Sequence, residues 1–267
     1  MKLTISVAQM RVKQTDMVAN LAQGERFIAE AARRGSHIVA LPEMWTTGFN
    51  FKENKKLAKE QSETLSTIAT FAKHYKIWVT GSVLTGDEEG NPCNTAVLFD
   101  SNGNLISRYN KVHLFSMLGE NENVTSGNEL VLVDSPWGKI GLTVCYDIRF
   151  PELFRSLAIQ GALIIFSPMA FPYPRLEHWK ILVRARAIEN QLFMVGANQI
   201  GNEDFNGTEV TYFGHSTIID PWGKTVIEAG DEQEVLLTAE IDLNLANEIR
   251  QKMRVLSDRR PDVYKLD

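Results

Sequence analysis

The sequence predicts an α/β protein built as a layered α-β-β-α sandwich. Apolar strand-like runs alternate with amphipathic helical patterns, which is the rhythm of an α/β sheet. Several runs are instead joined by hairpin turns, which fits two stacked sheets better than one doubly wound sheet. The 267 residues, 44% hydrophobic and 23% charged, are enough for one large core. No low-complexity linker divides them, so a single domain over 1–254 is expected, with 255–267 as a polar C-terminal arm.

Leu3 to Gln9 reads as a first strand and Val18 to Arg34 as an amphipathic helix, closed by Gly35 in a position that suits a left-handed C-cap. His37 to Leu41 reads as a second strand, followed by a helix from about Lys55 to Tyr75. Strands near Ile77 to Leu84 and Thr95 to Asp100 come next, and Asn102-Gly103 turns the chain into Leu105 to Tyr109. Pro136-Trp137-Gly138-Lys139 and Pro221-Trp222-Gly223-Lys224 repeat one turn chemistry between apolar runs. Between them lie a helix built on Phe150, Leu153, Phe154, Leu157 and Ala158, a strand from Leu163 to Phe166, a helix from about Leu176 to Asn190 and a strand from Leu192 to Ala197.

Composition excludes several classes of function. The formal charge of -5, with no dense run of Lys and Arg, argues against a nucleic-acid surface. After Met1-Lys2 apolar residues alternate with Thr4, Ser6 and Gln9, and no stretch approaches the roughly 20 apolar residues of a membrane span. A cytoplasmic protein is therefore expected. Two cysteines, Cys93 and Cys145, are too few for a disulfide framework and too far apart for a CxxC motif. His37, His74, His113, His178 and His215 show no metal-ligand spacing, and HExxH, GxSxG and GxGxxG are absent, so neither metal nor cofactor is expected. Gly223-Lys224-Thr225 imitates the end of a phosphate loop, but Ile218 stands where its first glycine belongs.

The residue with most to say is Cys145. It ends the apolar run Ile140 to Val144 and precedes Tyr146-Asp147-Ile148-Arg149-Phe150-Pro151, with Pro151 suited to a first helical turn. A thiol at such a strand-to-helix turn points out of the sheet's carboxyl edge, where helix N-terminal amides favour a thiolate and stabilise an oxyanion. The alternative is a small buried hydrophobe, since free cysteines are among the most buried residues. Two other strand ends carry charge: Glu43 follows the strand ending at Leu41, and Lys111 follows the hairpin strand. Taken singly each reads as a surface charge before a catalyst; convergence at one sheet edge, where α/β folds bind ligands, would make them chemical. Glu43 would then take the thiol proton, and Lys111 with the backbone N–H of Tyr146 would hold the charge that builds on a carbonyl oxygen. Asp147, Arg149 and Glu152 read as an ion-pair network holding the turn, with substrate contact as the lesser alternative.

Five segments in order, "LPEMWTTGF" (41 to 49), "YNKVHLF" (109 to 115), "VCYDIRFPEL" (144 to 153), "HWKILVRARAIENQ" (178 to 191) and "GHSTIIDPWG" (214 to 223), resemble the nitrilase superfamily of carbon-nitrogen hydrolases. That resemblance implies the superfamily's α-β-β-α fold and a triad in which Glu43 is the general base, Lys111 the electrophilic stabiliser and Cys145 the nucleophile. It also matches a further glutamate to Glu120, with Glu122 as the fallback. "CYDIRFPEL" and "HLFSMLGE" are most similar to the omega-amidase branch, whose members hydrolyse the terminal amide of 2-oxoglutaramate and 2-oxosuccinamate. Such substrates carry a carboxylate, for which Arg175, with Tyr173 beside it, is the candidate. Phe115, Met117, Met169 and Phe171 either wall the pocket or pack. The alternatives are an N-carbamoyl amino acid or other aliphatic amide hydrolase with the same triad and, more distantly, a non-catalytic scaffold. The resemblance further implies a homodimer or larger assembly in which the arm crosses to a neighbour.

Overall fold

A computed structural model describes residues 1–205 and 208–264; the last three residues of the expected arm, 265–267, lie outside the described residues. In chain order the strands are β1 (Lys2–Arg11), β2 (Ile38–Ala40), β3 (Trp78–Gly86), β4 (Pro92–Phe99), β5 (Leu105–Asn110), β6 (Leu132–Ser135), β7 (Gly138–Leu142), β8 (Ile164–Met169), β9 (Phe193–Phe205), β10 (Thr208–Phe213), β11 (Thr217–Ile219), β12 (Thr225–Glu228) and β13 (Val235–Asp242). The helices are α1 (Met17–Arg33), α2 (Phe51–Leu57), α3 (Gln61–Tyr75), α4 (Glu120–Asn123), α5 (Pro151–Ile159), α6 (Leu176–Asn190) and α7 (Asn244–Lys252).

One sheet runs β5-β4-β3-β2-β1-β13 and the other β6-β7-β8-β9-β11-β12. They meet at one seam, where β1 pairs with β9 through Met10–Gln199 and Arg11–Ile200. The two-residue period of the strands dictates the packing. Leu3, Ile5 and Val7 of β1, Ile38 and Ala40 of β2, and Ala96 and Leu98 of β4 face Ile140 and Leu142 of β7, Ile164 and Phe166 of β8, and Phe193 and Val195 of β9 between the sheets. The opposite face of the first sheet, with Val39, Val79, Val97 and Phe99, is covered by Ile28 and Ala31 of α1 and Leu65, Ile68 and Ala72 of α3. The outer face of the second sheet, with Ile165 and Met194, is covered by Phe154 and Leu157 of α5 and Trp179 and Val183 of α6. Helix, sheet, sheet, helix is the expected four-layer order. Trp179 lies so close on β9 that a Cβ at position 196 would stand 2.4 Å from its ring, which only Gly196 permits.

Local signals explain where elements stop. Asp16 caps α1 by accepting the Ala19 N–H at 3.0 Å, and Gly35 follows with φ 74°. Gly103, with φ 83°, turns β4 into β5. Gly138 and Gly223, with φ 103° and 81°, sit in the repeated turns between β6 and β7 and between β11 and β12. Three expectations are corrected. The helix expected from Lys55 to Tyr75 begins at Phe51 and is broken by a 3-10 turn at Ala58–Glu60. The strand expected to end at Phe166 runs on to Met169, and the strand expected to end at Ala197 continues to Phe205 and pairs with β10. Both extensions carry polar residues, Ser167 and Asn198 to Asp204, which hide the apolar signature of a strand.

Candidate active site

Three strand ends converge. Glu43 follows β2, and its backbone is tied to the second sheet: its N–H donates to Met169 O at 3.2 Å, and its carbonyl accepts Gln199 Nε2 at 2.7 Å. Lys111 follows β5, with its N–H on Asn94 O at 2.9 Å. Cys145 follows the β7 strand end as the first residue of a 3-10 turn, Cys145–Arg149, with a left-handed φ of 42°. A non-glycine residue costs about 1–3 kcal/mol in that conformation and is held there by its surroundings. The holder is Asp147, whose Oδ2 accepts the Val144 N–H at 2.8 Å and the Tyr109 hydroxyl at 2.8 Å. Its Oδ1 accepts the His113 N–H at 3.1 Å.

The side chains form one buried polar cluster. Lys111, 2% exposed, donates to Glu43 Oε1 at 2.9 Å and to both oxygens of Glu120 at 3.0 and 2.8 Å. Asn94 Nδ2 bridges the same two acids, 2.8 Å from Glu43 and 3.2 Å from Glu120, and Ser82 donates to its Oδ1 at 2.8 Å. Glu120 Oε2 also accepts the Phe115 N–H at 2.7 Å. Glu120, rather than Glu122, is the glutamate that reaches the cluster.

Burial and mutual charge set the protonation. Burial opposes the Lys111 charge, but Glu120 and Glu43 outweigh it and hold the ammonium well above its usual range. Burial also pushes Glu43 up, Lys111 pulls it back and Glu120 adds repulsion. The Cys145 thiol is raised well above its ordinary value, first by burial and then by the Glu43 charge, against the opposing pull of Lys111 and the Ala170 N–H. Glu43 Oε2 accepts no hydrogen bond from nitrogen or oxygen, while the Cys145 thiol acts on this carboxylate. The resting thiol is thus neutral, and an acceptor for its proton lies beside it.

Above the cluster opens a cavity lined by Glu43, Lys111, Glu120 and Cys145 and by aromatic walls that include Phe49, Phe115, Phe171 and Tyr212. Tyr146, Arg149 and Arg175 line it as well. Arg175 lies over the Phe115 ring at 5.3 Å, and Arg149 over Phe171 at 5.4 Å and Tyr146 at 6.0 Å. Three expected residues are not among those lining it: the wall candidates Met117, which is exposed, and Met169, and Tyr173, expected beside Arg175. Tyr173 is exposed and bonds Asp231 at 3.3 Å, and the Met169 side chain is fully buried among the helix-side core of the second sheet. The expected ion-pair network around the turn does not form: Asp147 is occupied by Tyr109, His113 and Val144, Glu152 is exposed, and Arg149 makes no ion pair among the described residues. The sequence reading missed Asn94 and held substrate contact by Arg149 only as the lesser alternative. Asn94 carries no local signal, whereas Arg149, four residues after Cys145 on one 3-10 turn, could have been placed on the cavity side.

A buried acid-ammonium-thiol cluster at the strand ends of an α-β-β-α sandwich defines a class of hydrolase fold. The family model for carbon-nitrogen hydrolases matches residues 4–251, and the chain belongs to that family. The chain is 35% identical to the 2-oxoglutaramate amidase of Bacillus subtilis over 265 residues, covering 99% of this chain and 100% of that one. It is 34% identical to the omega-amidase NIT2-A of Xenopus laevis, over 100% of this chain and 98% of the relative. The NitFhit protein of C. elegans superposes with a TM-score of 0.90 at 34% identity; 99% of this chain is covered, but only 66% of that longer one. Within the nitrilase superfamily the chain therefore falls in the omega-amidase branch, and it is an amidase-type enzyme. Among the described residues no helix is long and apolar enough to cross a membrane, and no cluster of three or more potential metal ligands occurs.

Proposed function

We propose that the protein hydrolyses the terminal amide of short dicarboxylic monoamides, such as 2-oxoglutaramate and 2-oxosuccinamate, to the acid and ammonia through a thioester on Cys145. The observation that carries this reading is the pairing, in one cavity, of the Glu43–Lys111–Glu120 cluster beside Cys145 with the guanidiniums of Arg149 and Arg175, which have no acid partner among the described residues. Glu43 takes the thiol proton as sulfur bonds to the amide carbon. The oxyanion is held by the Lys111 ammonium and the Tyr146 N–H. Glu43, now an acid, protonates the nitrogen, which leaves as ammonia. It then deprotonates the water that attacks the thioester, and the acid is released with the thiol restored. Glu120 fixes Lys111 in this geometry, and Arg149 and Arg175 bind the carboxylate at the far end, where bidentate contacts are strongest.

Hydrolysis of N-carbamoyl amino acids, which also carry a carboxylate, would use the same triad and the same arginines, whereas simple aliphatic amides would leave both guanidiniums without a partner in the substrate. The single domain over 1–254, a cytoplasmic location and a homodimer or larger assembly with the arm after Val255 at the interface belong to the same proposal. Leu256 of that arm packs on the helical layer of α5 and α6. Ammonia release from 2-oxoglutaramate, succinamate, glutamine and a simple nitrile tests the function, with Cys145→Ala as control. Turnover of the acid monoamides, lost in the variant, supports it; turnover of only the nitrile or of none overturns it.

A further inference from the structure

Glu203 lies on β9 directly behind the cavity wall and is 6% exposed. Its Oε2 accepts the Tyr212 hydroxyl at 2.6 Å, and its Oε1 accepts the Phe49 N–H at 2.8 Å. Tyr212 and Phe49 both line the cavity that holds Cys145. Among the described residues no cation pairs with Glu203, and a buried carboxylate without one is costly to keep. Glu203 is not alone there: its charge and that of Glu43 act on one another. The triad thus gathers three carboxylates, Glu43, Glu120 and Glu203, around the one ammonium, Lys111, that pairs with them among the described residues, while Arg149 and Arg175 line the same cavity.

We infer that Glu203 is a specificity-determining residue whose buried charge, behind Tyr212 and Phe49, keeps a carboxylate from settling at the triad end of the cavity. The inference rests on the amidase reading, in which a neutral amide occupies that end and hydrolysis turns it into an anion. A monoamide places its one carboxylate at the arginines and its neutral amide at Cys145. The diacid product, with a charge at both ends, meets repulsion where the amide had been tolerated. Glu203 so favours substrate over product in the same cavity without touching either.

The titratable groups that face Glu203 are Tyr212 on β10 and Glu43 after β2; Asp204 beside it in the strand is exposed. Burial, opposed by the Tyr212 and Phe49 hydrogen bonds and reinforced by Glu43, pushes Glu203 up to about 7, so it is charged under mildly alkaline conditions.

The test is titration calorimetry of succinate and succinamate into Cys145→Ala protein, with and without Glu203→Gln or Glu203→Asp, at mildly alkaline pH. In Glu203→Gln the ratio of succinate Kd to succinamate Kd is expected to fall of order tenfold, the size of one like-charge interaction across a partly screened site. In Glu203→Asp, which keeps the charge, the ratio stays near that of the parent. An unchanged ratio in Glu203→Gln, or an equal fall in Glu203→Asp, overturns the inference. Should Glu203→Gln fail to fold, the parent protein carries the test: the ratio must fall as pH drops through about 7 and Glu203 takes up its proton, and a pH-independent ratio overturns it. Turnover of succinamate by the wild type stands or falls separately, so failure of the amidase reading is seen as lost turnover and not as an altered ratio.

Discussion

The Tyr109 hydroxyl donates to Asp147 Oδ2 at 2.8 Å, joining β5, which ends at Asn110 just before Lys111, to the turn that began two residues earlier at Cys145. The two sheets are thereby pinned at the point where the proposed nucleophile and its cation must meet. Asp147 is fully buried and burial holds the Tyr109 phenol far above its usual range, so neither group can fall back on water. Tyr109→Phe leaves one Asp147 oxygen short of a donor and is expected to cost about 1–3 kcal/mol of stability. Because the lost bond also fixes the strained Cys145 turn, the loss of kcat should exceed any change in KM. Urea unfolding together with steady-state kinetics checks both halves.

Glu120 spends both oxygens on Lys111 and one of them on Phe115 as well, so it orients the ammonium and supports a cavity wall at once. Glu120→Gln is expected to lower kcat by about 10²–10³, the range for losing an aligned oxyanion donor, with a smaller effect on KM. It also leaves a buried charge short of one partner, so a fall in Tm should accompany it. An unaltered kcat in a correctly folded variant would remove Glu120 from the machinery.

Much of this arrangement could be read from the chain alone, and the reasons are physical. Glu43, Lys111 and Cys145 each stand just past an apolar run, and a strand end is a place that sequence marks. The hairpin turns at Asn102-Gly103 and at the repeated Pro-Trp-Gly-Lys segments were legible because their glycines need positive φ. Asn94 was not, because it lies inside β4, where nothing local distinguishes an amide that bridges two acids. Glu203 was hidden for the same reason: only the pairing of β9 with β10 brings it against Tyr212. Asp147 and Arg149 were placed in one network because opposite charges two residues apart look paired, whereas the 3-10 turn sends Asp147 into the core and Arg149 to the cavity.

Arg149 and Arg175 stack on aromatic rings and keep their guanidiniums free of acid partners among the described residues. Replacing either with Met should raise KM for succinamate by about 10- to 100-fold, the value of a charge-assisted contact of roughly 1.5–3 kcal/mol. A neutral amide of similar length has no carboxylate to lose, and its kcat/KM should hardly move. The contrast between the two substrates separates carboxylate binding from general damage to the wall.

The two thiols should respond differently to alkylation. Cys93 is 1% exposed, and burial raises its thiol to about 11, with the Asp87 charge adding to it; Cys145 opens into the cavity beside an acceptor for its proton. Iodoacetamide is therefore expected to label Cys145 alone in the native protein, read by mass spectrometry of the peptides. Glu43→Gln removes the acceptor and should slow labelling, while succinamate should protect the wild type. Preferential labelling of Cys93 would sink the assignment of the nucleophile.

Glu203 also leaves a mark on stability that has a definite sign. Its carboxyl rises from an ordinary 4.5 to about 7 on folding, because burial disfavours its charge more than Tyr212 and Phe49 restore it. Between those values the folded state binds the proton more tightly than the unfolded chain. The contribution is therefore fully present below about 4.5 and lost as pH rises through about 7, amounting to roughly 3 kcal/mol at most. Surface acids held low by their partners, such as Glu30 beside Arg33 and Arg34, change stability in the opposite direction and at lower pH. Taking the difference between wild type and Glu203→Gln cancels them. Urea midpoints of the two proteins measured across this range should diverge, with Glu203→Gln gaining relative stability as pH climbs toward 7 and the gap levelling above it. Parallel curves would show that Glu203 titrates like an exposed acid, and the buried charge behind Tyr212 would then have no energetic footing.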